Sequence, residues 1–113
     1  MVLKLENFSF YLNGKMKNVM VKRCESLFSK SLGIMFKKNP APHLFIFSKE
    51  KNLAIHSFFC VPFVAIWLDK DKKAVAVEKI YPFNPHISHR GMYLLEIQEK
   101  RFLQLNNRKK SRR

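Results

Sequence analysis

The chain has 113 residues, 47% of them hydrophobic and 13% aromatic, which excludes disorder throughout and suits one domain with one core. Its formal charge of +14, from 22 Lys and Arg against 8 Asp and Glu, would draw a polyanion such as nucleic acid or an acidic protein partner, although lysines scattered over a solvated face give the same total. Three glycines argue against a glycine-cradled phosphate site, and neither a phosphate loop nor a dinucleotide fingerprint is present.

The start, Met1 to Asn7, lacks the apolar run of a signal peptide, and Val2 to Leu5 is a candidate strand. Residues 8 to 22 read as a hairpin. Phe8 to Leu12 leads into Asn13-Gly14, the dipeptide best suited to a tight turn with positive φ, and Val19 and Val21 alternate on the return. From Cys24 the period changes. Cys24, Leu27, Phe28, Ser31 and Leu32 fall at helical spacing before Gly33, which predicts a short helix over 24–32.

Lys37 to Pro42 carries two prolines and reads as a loop. His43 to Phe47 is then a strand, Ser48 to Asn52 a polar turn and Leu53 to Phe59 the returning strand. Pro62 marks a break, bulge or edge before Val64 to Leu68. Leu53 to Leu68 is apolar, but at 16 residues it is shorter than the ~20 of a membrane helix, and His56, Ser57 and Pro62 interrupt it. It reads as buried strands, so no transmembrane segment is expected. Asp69 to Lys73 turns the chain into a strand over Ala74 to Val77, and Tyr81 to His86 forms a rigid, irregular crossing. Tyr93 to Ile97 is the last clear strand, with Phe102, Leu103 and Leu105 closing the fold.

Arg108 to Arg113 carries five positive charges in six residues and reads as a solvated, disordered tail after a β-rich domain over 1–107. Cys24 and Cys60 have no Cys-x-x-Cys spacing, so a disulfide framework and a cysteine-held zinc are both unsupported, and two free thiols suit a reducing cytoplasm. The fold class expected is mainly β: a small antiparallel sandwich or barrel with one short helix in the N-terminal half.

Several segments carry a family resemblance: Ser31-Leu32-Gly33-Ile34-Met35-Phe36, Leu44 to Phe47, Ile55-His56-Ser57-Phe58-Phe59, Val61 to Asp69, Ile80 to Phe83 and Tyr93 to Ile97. In that order they resemble the domain-of-unknown-function 192 family, in its archaeal form, over about residues 19–97. The resemblance implies a small, mostly β fold and transfers no activity. This chain departs from the pattern in three places. His56 to Phe59 replaces a polar Met-Lys-Asn-Thr element, Val64 stands where relatives place Asp, and the closing Gly-Asp is missing.

The chemistry-bearing residues give no reaction. His86 and His89 are three apart, but no third metal ligand is implied, and both read as loop histidines. His56, on an apolar strand, and the carboxylates of Glu78 and Glu96 are the candidate ligand-binding positions. The two acids could share a proton if their strands adjoin, although ion pairs with Lys79 or Arg90 are simpler. No catalytic residue, metal or cofactor is expected. The sequence favours a non-enzymatic binding or accessory module. One alternative is a nucleic-acid-associating protein using Lys37, Lys38, Arg108, Lys109, Lys110, Arg112 and Arg113, with Lys70, Lys72 and Lys73 in a loop and Tyr11, Phe83 and Tyr93 as stacking surfaces. An enzyme centred on His56 is the other.

Overall fold

A computed structural model describes residues 5–24, 42–57, 63–81 and 84–107. They form six strands and one helix: β1 (Glu6–Leu12), β2 (Lys15–Cys24), β3 (His43–Ser57), β4 (Phe63–Leu68), β5 (Ala74–Ile80), β6 (Asn84–Gln98) and α1 (Glu99–Asn107). The strands make one sheet in the order β1-β2-β3-β6-β4-β5. The mainly β fold expected from the sequence is what the chain adopts, with its described short helix at the C-terminal end of the sheet.

The β1–β2 hairpin forms where alternation and turn chemistry agree. Phe8, Phe10 and Leu12 turn inward, and Asn13 (φ 54°) and Gly14 (φ 78°) both take the positive φ that a two-residue hairpin turn needs. The β2–β3 pair is parallel and short, running from Lys22↔His43 to Cys24↔Phe45, whereas the other neighbours are antiparallel. The sheet then curls until its outer strands meet. The Tyr11 N–H donates to the Lys72 carbonyl at 2.9 Å, and Tyr11 bridges Lys73 in parallel. The result resembles a small, partly closed barrel, joined at one point between the end of β1 and the turn before β5.

β4 is buried on both faces. On the inner face Val64, Ile66 and Leu68 join Phe8, Phe10, Val21, Leu44, Leu95 and Ile97, with Leu105 and Phe102 of α1 packed against them. On the outer face Phe63, Ala65 and Trp67 pack with Phe45, Leu53, Ile80 and Leu94. Phe47, Ala76 and Ile87 lie against that second cluster.

Two sequence expectations are corrected. Ser48 to Asn52 is not a turn but the middle of the 15-residue strand β3. The polar residues are accommodated by an irregularity: register passes from Ile46↔Tyr93 directly to Lys51↔Gly91, so four residues of β3 stand opposite Met92 alone. The irregular crossing is shorter than expected, because Asn84, Pro85 and His86 already belong to β6. Phe102, Leu103 and Leu105, expected to close the fold, lie on α1, and Phe102 and Leu105 do pack against the core. The helix expected over 24–32 falls outside the described residues apart from Cys24, which ends β2. No helix among the described residues is long and apolar enough to cross a membrane, and Leu53–Ser57 and Phe63–Leu68 of the apolar stretch are strand.

Candidate functional site

Register places two of the expected residues, Glu78 and Glu96, in one row across the sheet with His43. His43 of β3 stands opposite Glu96 of β6, Glu96 opposite Ala65 of β4, and Ala65 opposite Glu78 of β5. Directly paired residues share a face, so the row lies on the outer side with Trp67 and Phe63. Glu78 and Glu96 therefore do not occupy adjoining strands. The intervening strand sets their backbones about 10 Å apart, and Glu78 is instead held by His89 at 2.8 Å.

Each acid has its own surroundings. Glu96 is 7% exposed and His43 2% exposed. Burial pushes the Glu96 carboxyl up from 4.5 to about 8, so at neutral pH it is largely protonated and uncharged. Glu78 is half-exposed, and its Oε2 lies 2.8 Å from His89 Nε2. The His89 ring also meets Trp67 edge-on at 4.7 Å between centroids. His89 is thus a strand residue with two partners, and neither it nor His86 is a loop histidine. Lys79 pairs with Glu99 at 2.6 Å and takes no part in holding Glu78.

His56 lies on β3 where register slips between Ile55↔Ile87 and Ser57↔Asn84. Lys37, Lys38, Arg108, Lys109, Lys110, Arg112 and Arg113 lie outside the described residues, as does Phe83. Lys70, Lys72 and Lys73 do occupy one turn, beside the exposed Tyr11. The Lys72 ammonium sits 5.5 Å from the Phe8 ring centre and 5.9 Å from that of Tyr93. Among the described residues no group of three His, Cys, Asp or Glu stands close enough to hold a metal ion.

A different part of the surface is concave. A cleft of about 440 Å³ separates β2 from α1. Asn18, Val19 and Met20 form one wall, and Arg101, Gln104 and Leu105 the other. Pro42 and Ile97 complete the lining. Among the described residues β3 begins at His43 and pairs with β2 only from Lys22 onward, so the lower half of β2 faces the helix with no described strand between them. Its inner side is apolar, through the buried Ile97 and Leu105, and its rim is polar. Sequence reasoning missed these residues and His43. The alternation of Met20 with Val19 and Val21 was visible, but which edge of β2 stays open depends on pairing between distant segments.

No family model matches the chain, and no curated protein matches it. Two solved structures share its fold. One is a "putative transcription regulator" from Sinorhizobium meliloti 1021, at 16% identity, 94% of this chain, 89% of that chain and a TM-score of 0.78. The other is a protein of unknown function from Novosphingobium aromaticivorans DSM 12444, at 12% identity, 92% of this chain, 80% of that chain and a TM-score of 0.77. These likenesses define the class of fold, a mainly β curled sheet with a short helix, and leave its activity open.

Proposed function

We propose that the chain is a non-enzymatic binding module whose ligand occupies the cleft between β2 and α1. One observation carries the reading: the described lining offers an apolar floor, amides and one guanidinium, but no carboxylate, imidazole, thiol or hydroxyl to run acid–base or nucleophilic chemistry. Among the described residues His43 and Glu96 are sunk in the sheet, and His89 is paired with Glu78 away from the cleft. Membership of the domain-of-unknown-function 192 family is part of this proposal. It is supported by the way Leu44 to Phe47, Phe63 to Leu68 and Tyr93 to Ile97 fall on β3, β4 and β6.

The test is amide chemical-shift mapping of the labelled chain against a pool of amino acids, short peptides, nucleotides and small carboxylates. Shifts gathered on Asn18, Met20, Arg101 and Gln104 are expected. Turnover of any pool member, or shifts centred on His43, Glu96 and Glu78, would overturn the reading. A second reading, association with nucleic acid, is favoured by the turn that sets Lys70, Lys72 and Lys73 beside Tyr11.

A further inference from the structure

We propose that the occupant of this cleft is an extended peptide ending in a carboxylate, added as a strand to the edge of β2 that no described strand covers; the proposal rests on the binding-module reading above. The Lys22 N–H donates to the Pro42 carbonyl at 2.8 Å, which fixes the side to which β2 turns that residue's backbone polar groups. Backbone N–H and C=O groups repeat with a period of two along a strand, so Met20 and Asn18 turn theirs the same way. On the opposite side β1 is paired throughout, from Glu6↔Val21 to Leu12↔Lys15. Beyond Lys22 no described strand covers the β3 side, and Asn18 and Met20 line the cleft.

The edge therefore presents two donors and two acceptors over about 6–7 Å of strand. A peptide backbone matches that spacing, whereas a compact small molecule would satisfy one pair and leave the other to water. Val19, Ile97 and Leu105 supply an apolar floor for a side chain of the added strand that points inward. Gln104, exposed at the rim, faces the solvent side.

Charge selects the end group. Arg101 lines the cleft and forms no ion pair among the described residues, since neighbouring Glu99 is held by Lys79 at 2.6 Å. A guanidinium offers a planar fork of donors that suits a carboxylate. Segment 108–113 of the chain itself would bring five more positive charges against Arg101, so the favoured occupant is a partner's segment.

The experiment titrates the full chain with a pool of acetylated pentapeptides that alternate Val, Leu or Ile with Ser, Thr or Gln and end in a free carboxylate. Parallel titrations use the same pool as C-terminal amides, the same pool with N-methylated backbones, and hexanoate. The free-acid pool should shift the Asn18 and Met20 amides and bind about tenfold more tightly than the amides. Arg101→Gln should abolish that difference, and the N-methylated pool should not bind. Equal binding of acids and amides to the wild type would overturn the carboxylate requirement. Hexanoate binding at the cleft without peptide binding would overturn the peptide while leaving the binding module intact. Silence of the cleft amides toward every probe, the mixed pool of the preceding section included, would overturn both.

Discussion

At the scale of single residues, Glu96 links burial to pH. Its carboxyl is raised from 4.5 to about 8 by loss of water, so the folded chain holds a proton that the unfolded chain releases. Stability from this group is present in full below pH ~4.5 and is lost as pH rises toward 8, where the folded form finally ionises. The span implies a few kcal/mol in order of magnitude. Urea denaturation of the wild type and Glu96→Gln at pH 5 and pH 8 should show the wild type losing more stability across that interval. Equal losses in the two proteins would mean that Glu96 is not held neutral by burial.

At the scale of elements, the long β3–β6 pair sets the shape of the outer layer. Its distal part, residues 51–57 and 84–91, reaches over the outer face of β4. The Trp67 indole N–H donates to the Leu53 carbonyl at 2.8 Å, and His89 contacts both Trp67 and Glu78. Gly91 permits that approach, since a Cβ there would lie 3.0 Å from the Leu68 carbonyl oxygen and 3.4 Å from its nitrogen. Backbone atoms yield less readily than side-chain tips, so Gly91→Ala should cost on the order of 1–3 kcal/mol. Hydrogen exchange should locate the loosening in residues 51–57 and 84–91, and uniform loosening of all strands would count against this account.

The same elements show what could be read in advance. The β1–β2 hairpin was legible because alternation, Asn13-Gly14 and strand length agree locally. β4 was legible as an unbroken apolar run, and its burial on both faces explains why no alternation was visible. The polar stretch from Ser48 to Asn52 misled because a strand irregularity and a turn draw on the same residue types. α1 was missed because Phe102, Leu103 and Leu105 were too few and too close to the chain's end to show a helical period. Glu78 and Glu96 were visible as acids on strands. That Ala65 separates them is a fact of strand order, which local pattern does not encode.

At the scale of the whole molecule, curling of the sheet brings the end of β1 to the turn before β5, while among the described residues the late start of β3 leaves the cleft at β2. The net charge of +14 acts over a longer range than either. If charge alone draws nucleic acid, binding to duplex DNA should weaken steeply with salt, log affinity falling against log salt by about 0.9 per phosphate neutralised, without sequence preference. Retention of tight, sequence-selective binding at physiological salt would instead raise nucleic-acid recognition above the cleft.

The most direct test of the binding-module account compares amide spectra of the wild type and Gln104→Trp with the same mixed pool of small ligands and peptides. Gln104 is exposed and lines the cleft, so an indole there should fill the space with little effect on melting temperature. The account predicts ligand-induced shifts at Asn18, Met20 and Arg101 in the wild type and none in the variant. Equal shifts in both proteins, gathered away from β2 and α1, would contradict it.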